Sequence, residues 1–385
     1  MKQLPSERIH EIESFLNEHF DIRYNTISNQ VEYKGKDQRA FSALNENNFY
    51  RILRLNDIKA SIHEIHILLN SDYVLKYNPI SSYFSRISSL WDGSIHGDYI
   101  AYLANFLTIE RKNQFIKHLK KWMIRSIVCG YNSTYYNKQA FILVGEKQNT
   151  GKSSFLRFLC PPELSEYMSE NISTDKDGLI ALCENFLINM DELSTMSRQE
   201  INSLKSIFSK DRVKVRLPYE RRASTLPRVA SFMGSTNKFQ FLNDETGSVR
   251  FINFEVDRID WSYSRAVDIN IAWSQAYQLW QSNYSYELSS AEIEENELIN
   301  NQYKISTPEL ELILKYFTPG TKDEYQYFWT ASELLNYLLE QNTIRIRLSI
   351  INLGKALKMA GFTQGQKRTE NFPVKGYYIF IKNTN

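Results

Sequence analysis

Cysteine is scarce in this chain of 385 residues: Cys129, Cys160 and Cys183 are too few and too scattered for a disulfide framework or a thiolate zinc site. That usage fits a reducing, cytoplasmic setting. His63 and His66 lie three apart on an expected helix, but no Cys or third His stands at ligand spacing, so an ordinary helix surface is the reading. No run approaches the ~18 apolar residues of a membrane span, and the opening MKQLPSERIHEIESF has no apolar signal core. The expectation is a protein neither exported nor embedded in a membrane. An excess of one charge is also missing. The formal total of +2 says nothing about partners until its distribution is known.

What is present describes a globular protein, with 42% hydrophobic and 23% charged residues and a length that implies two or three domains. The 24 Tyr and 22 Phe serve core packing by default and base stacking as the sharper alternative. The most informative stretch is FILVGEKQNTGKSSF, Phe141 to Phe155. A β-rich run, Phe141 to Val144, breaks into a glycine loop, and helical apolar spacing resumes at Phe155, Leu156 and Leu159. Backbone N–H groups of such a loop and of the next helix start point at phosphate oxygens. Lys152 would reach the β/γ-phosphates and Ser153 would ligate Mg²⁺. Gly145, Asn149, Thr150, Gly151, Lys152, Ser153 and Ser154 form the candidate ATP-binding set. The strict pattern GxxxxGK[ST] wants Gly at position 146; the chain has Glu146 there, with Gly145 one residue earlier.

Some forty residues on, NFLINMDE reads as a buried strand closing on Asp191 and Glu192. Asp191 would hold the Mg²⁺ sphere and Glu192 would polarise the attacking water. A helix N-cap with an acidic neighbour is the bland alternative. A second buried strand, RVASFMGSTN, ends in Asn237, an amide able to orient the lytic water. Arg250 follows Asp244-Glu245-Thr246-Gly247; in a ring it would reach a neighbour's γ-phosphate, and a salt bridge to Asp244 or Glu245 is the alternative.

Charge concentrates between these strands. Residues 198 to 228 hold nine Lys/Arg and three acids, a net of +6, which leaves −4 for the rest of the chain. Within it RVKVRL alternates as one arm of a hairpin, bringing Arg212, Lys214 and Arg216 to one face with Tyr219 near the tip. A phosphate backbone suits that face, and a neighbouring subunit or nucleotide is the alternative. The helix from about Glu110 to Cys129 carries Arg111, Lys112, Lys117, Lys120, Lys121 and Arg125 beside an apolar stripe at Phe115, Leu119, Trp122 and Ile127. A solvated basic face or a nucleic-acid-facing collar would explain it.

The flanks are plainer. Ser6 is the expected cap of a first helix, IRYNTISNQVEYKG a hairpin, and SIHEIHILL a helix opened by a capping box. Trp273, Tyr277, Leu279 and Trp280 form a core stripe, and AEIEENELIN an exposed acidic helix. From about Thr307 the order helix, helix, basic β-wing is that of a winged helix. Such a tail resembles those that follow primase–helicase ATPase modules, which implies that the helix with Arg347, Lys355 and Lys358 and the wing with Lys367 and Arg368 would touch duplex DNA; a structural or protein-docking winged helix is the alternative.

The ordered set of GKS loop, NMDE, basic hairpin, STN and D-x-T-G-x-x-R resembles the superfamily 3 helicases, AAA+-type ATPases of viruses and mobile elements. More closely, LVGEKQNTGKS, RLPYERR and GSTNKFQFLNDETGSVRF look like the virulence-associated E (VirE/VapE) family of phage and genomic-island proteins, over about Lys112 to Arg258. The resemblance makes Gly151, Lys152 and Ser153 the Walker A core, Asp191 and Glu192 Walker B, Asn237 sensor 1 and Arg250 the arginine finger. It makes the hairpin, with Arg212, Lys214, Arg216, Tyr219, Arg221 and Arg222, the DNA-contacting element. The fold it implies is α/β: a P-loop core (131–285), a helical collar (76–130), a small α+β domain (1–75) and a winged-helix-like domain (286–385). The expected activity is an ATP- and Mg²⁺-dependent DNA helicase, a homo-hexameric ring on single-stranded or forked DNA. Many members of the family that the chain resembles carry a primase upstream, whereas the first 110 residues here lack a zinc-binding Cys cluster and an obvious polymerase carboxylate set, so the resemblance implies a separate primase or replication initiator as partner. A DNA-dependent ATPase switch, or a defence-related assembly factor without unwinding, is the alternative function.

Overall fold

Residues Ala140–Val144, AFILV, are buried without exception, the pattern of a strand covered on both faces. In the computed structural model this strand lies inside a five-stranded sheet whose order across the sheet is Phe251–Glu255, Ala140–Val144, Ser231–Thr236, Leu187–Met190, Met168–Glu170. Every neighbouring pair is parallel. The strand ending in the amide therefore sits between the loop strand and the acid strand. All three carboxyl ends open on the same edge, where open α/β sheets bind ligands. The structure describes residues 5–193, 198–216, 222–242, 249–304, 307–341, 347–368 and 372–382.

The chain divides into two compact units, Met1–Phe239 with Val249–Ile299, and Gln240–Ser248 with Asn300–Asn385. The expected N-terminal and collar ranges and nearly all of the ATPase range fall in the first. There the hairpin is Phe20–Asn25 against Gln30–Gly35, antiparallel, and the helix Ile62–Leu69 opens with the capping box: Ser61 Oγ accepts from Glu64 N, and Glu64 Oε2 from Ser61 N. The first helix runs Pro5–His19, which places Ser6 inside its first turn instead of capping it.

Two expectations for the first unit change. In the helix Lys112–Tyr131 the apolar stripe packs as expected, with Trp122 Nε1 donating to Phe232 O of the central sheet, but Lys121 and Arg125 are buried too. Lys121 and Lys117 pair with Glu292, Lys120 with Asp98, and Arg111 and Lys112 donate to backbone carbonyls. These cations meet partners within the chain, so they form no free basic collar. The helix Ser290–Asn301, expected to be exposed, keeps Glu294, Glu295 and Glu297 exposed but buries Glu292 and Asn296, because Glu292 pairs with Lys117 and Lys121 and Asn296 donates to Phe251 O.

The second unit packs three helices, Pro308–Tyr316, Ala331–Gln341 and Ile350–Met359, on an antiparallel sheet of four strands. Gln364–Arg368 and Pro373–Ile381 form the basic hairpin. Lys367 lies over the Tyr325 and Phe328 rings and bonds Tyr325 OH, while Arg368 is exposed.

Candidate nucleotide site at the carboxyl end of the sheet

The loop leaves its strand at Gly145, whose N–H still donates to Thr236 O of the neighbouring strand. A Cβ on Gly145 would lie 2.7 Å from Val256 O, so the crowded position is 145. Glu146 is exposed, so its side chain meets no such crowding. Gly151 adopts φ +91, a left-handed geometry that suits glycine, and the helix Lys152–Leu159 begins immediately after it. Lys152 curls back into the loop. Its Nζ donates to Gly145 O at 2.9 Å, Lys147 O at 3.0 Å and Thr150 Oγ1 at 3.0 Å. Burial lowers its pKa, partly countered by the Asp191 charge.

Ser153 and Asp191 meet across the sheet end: Ser153 Oγ donates to Asp191 Oδ1 at 2.5 Å. Ser235 Oγ donates to the same oxygen at 2.7 Å and lies 3.2 Å from Ser153 Oγ. Arg157 Nη2 reaches Asp191 Oδ2 at 3.2 Å, and its Nε donates to Glu170 at 2.7 Å. Burial raises the Asp191 carboxyl, but the hydrogen bonds from Ser153 and Ser235 and the nearby guanidinium outweigh it and hold the pKa below the usual range. Asp191 is therefore an anion at neutral pH. Glu192 follows with φ +52, uncommon for a non-glycine residue, and Asn237 Nδ2 approaches Glu192 Oε1 at 3.4 Å. These groups line a cavity of about 350 Å³ that extends from Gln148 through the loop to Asn237 and Trp261. Hydroxyl and carboxylate oxygens are the hard donors that Mg²⁺ takes, alongside phosphate and water. Among the described residues no group of three or more His, Cys, Asp or Glu could hold a metal.

The fold thus brings together Gly145, Asn149, Thr150, Gly151, Lys152, Ser153, Ser154, Asp191, Glu192 and Asn237. It does not add Arg250. That residue precedes Phe251–Glu255 at the amino end of the sheet, five residues or roughly 17 Å of strand from its own loop. Its Nε donates to Ser209 Oγ at 3.1 Å; Asp244 and Glu245 lie outside the described residues. The hairpin forms between Arg212–Val215 and Ser224–Pro227, with Val213 and Val215 buried and Arg212, Lys214 and Arg216 exposed on the other face. Arg222 is exposed, and Tyr219 and Arg221 lie outside the described residues. Arg228, counted with this basic segment, is fully buried and donates to the carbonyls of Ala230, Phe208 and Asn137. It is a structural residue. Sequence reasoning missed Ser235, Arg157 and Trp261. Ser235 stood two residues before the amide, and Arg157 four after Ser153 on the same helix face; Trp261 carried no local signal.

Fold and site together define an α/β protein with a glycine loop, an acid pair and an amide converging on one sheet edge. Residues 88–305, more than half the chain, match the virulence-associated protein E-like domain, and the chain belongs to that family. No curated protein matches it. Among solved structures it is similar to one described as the A form apo structure of NrS-1 C terminal region-CTR, at 13% identity and a TM-score of 0.51, covering 96% of this chain and 98% of that one. The apo structure of NrS-1 C terminal region (305-718) aligns at 13% identity and a TM-score of 0.49, over 98% and 100% of the two chains. At such identity the likeness bears on the fold alone. No described helix is long and apolar enough to cross a membrane.

Proposed function

We propose that this chain is a Mg²⁺-ATP-driven DNA motor, a superfamily 3-type AAA+ helicase or translocase serving replication of a phage or mobile element. The observation that carries this reading is the contact of Ser153 Oγ with Asp191 Oδ1 beside Lys152, on the edge where Glu192 and Asn237 also emerge. Lys152 would turn its ammonium from the loop carbonyls to the β/γ-phosphates, while the loop and helix-start N–H groups hold the remaining oxygens. Ser153 and Asp191 would hold Mg²⁺, which when bound neutralises the charge developing on the phosphoryl oxygens. Glu192 would polarise the attacking water by accepting a hydrogen bond from it, and Asn237, already near Glu192, would fix that water's orientation.

Arg250 stands too far from its own loop to serve it, so it would act on a neighbouring copy, which makes a ring, expected to be a hexamer, part of the proposal. The exposed Arg212, Lys214 and Arg216 face would grip single-stranded or forked DNA, and the second unit would act as a winged-helix-like module on duplex DNA or on a primase or initiator. The test is ATP hydrolysis stimulated by single-stranded DNA and abolished by Lys152→Ala, then strand displacement on a forked duplex. Turnover without displacement would favour an ATPase switch or a defence-related factor. No turnover in the parent protein would overturn both.

A further inference from the structure

Trp261 is a large apolar side chain that remains 53% exposed, and it stands at the phosphate loop. The chain delivers it there through Arg258–Ile259, which pairs antiparallel with Leu107–Thr108, and through Asp260 N donating to Phe106 O at 2.8 Å. The six-membered ring lies against the loop backbone: a Cβ on Gly151 would sit 2.8 Å from its Cζ2. Gly151 is thus required twice, for its φ and for this contact. Tyr263 lies nearly parallel to the indole, with centroids 6.5 Å apart and 22° between planes.

Two cavities flank the loop and share Trp261 as a wall. One, of about 350 Å³, holds Lys152, Ser153 and Asp191; the other, of about 370 Å³, is bounded by Asn149, Thr150 and the segment Asp257 to Trp261. Packing does not explain a half-exposed indole at that junction, whereas a flat π-face beside a phosphate cradle is what a nucleobase stacks on. The geometry points to Trp261 as the stacking platform for the purine base of the nucleoside triphosphate, with its phosphates on the loop and its base edge in the second cavity. This assignment rests on the nucleotide reading of the loop. It makes Trp261 a specificity residue, since a purine offers the indole more stacking area than a pyrimidine.

The experiment titrates the full chain with Mg²⁺-ATP, Mg²⁺-CTP and Mg²⁺-tripolyphosphate, in the parent, Trp261→Ala, Trp261→Phe and Lys152→Ala proteins. Trp261→Ala should weaken ATP binding by roughly 10-fold or more, leave tripolyphosphate binding within about 2-fold, and be rescued by Trp261→Phe. Lys152→Ala should weaken both ligands. The parent should prefer ATP to CTP, a measurement that stands even if Trp261→Ala does not fold. Equal parent affinity for ATP and CTP, or unchanged ATP binding in Trp261→Ala, would overturn the assignment while leaving the loop reading intact. Equal loss of ATP and tripolyphosphate in Trp261→Ala would reduce the indole to a support for Gly151. A parent that binds none of the three ligands removes the loop reading and this one with it.

Discussion

At the amino end of the parallel sheet Arg125 and Arg228 are fully buried, and at the carboxyl end Lys152 is nearly so, yet only Lys152 borders a cavity that holds a carboxylate, an amide and paired hydroxyls. Arg228 meets three carbonyls, and Arg125 meets Asn137 Oδ1 and Tyr286 O. Burial lowers both guanidinium pKa values, that of Arg228 to about 10, so Arg228 remains charged at neutral pH. Both guanidinium groups point into protein. At the opposite end the cation holds loop carbonyls that a phosphate would compete with, and Asp191 gathers donors on the rim of open space. The difference teaches that a buried cation becomes a candidate site only where its partners are exchangeable.

Substitutions should separate the two ends, and the largest effect belongs to the closed one. Arg228→Ala strands the Phe208, Ala230 and Asn137 carbonyls, so chemical denaturation should show a loss of roughly 3–5 kcal/mol, or no soluble protein. Wild-type stability would instead show that those carbonyl contacts contribute nothing to the fold. Next comes Glu292, another closed charge. Burial raises its carboxyl pKa, but hydrogen bonds from Lys117 and Lys121 lower it from 4.5 to about 2. Because the folded value is depressed, its stabilisation is complete above about 4.5 and fades as pH falls toward 2. Glu292→Gln should cost on the order of 3 kcal/mol at pH 7 and flatten that acid limb in melts at pH 7 and pH 3.

The open end should behave in reverse. Lys152→Ala should change stability by only about 1 kcal/mol, since water can reach the carbonyls it releases, while ATP affinity falls by about 100-fold or more. A large stability loss with ATP binding intact would erase the contrast. The smallest stability effect, within about 0.5 kcal/mol, is expected for joint replacement of Arg212, Lys214 and Arg216 by Gln, because all three are exposed. If that face grips single-stranded DNA, the salt dependence of binding should flatten by roughly two units of slope, with basal ATPase retained. Unchanged DNA affinity would refute the grip.

Local patterns were legible wherever neighbouring residues settle the conformation. The FILV run, the Ser61 capping box and the alternation of RVKV each specify an element from within a few residues, and each formed. Charge was legible only as a count. Lys121, Arg125 and Arg228 looked like surface basicity, and nothing nearby in sequence announced that Glu292, more than 160 residues away, or the carbonyls of Tyr286 and Phe208 would take them inward. Ser235 was hidden for a related reason: its role depends on its strand lying between two others, a matter of sheet order.

The amino-acid sequence by itself determined a glycine loop ahead of a helix, two buried strands ending in acids and in an amide, and a hairpin with one charged face, because periodicity, turn chemistry and capping act over a few residues. Tertiary structure alone decided that the amide strand lies between the loop and acid strands, so that Ser153, Ser235 and Asp191 touch. It alone decided that Arg250 stands at the far end of the sheet and that Trp261 lies against Gly151. Those outcomes depend on which distant segments bury one another, and that is settled when the core packs.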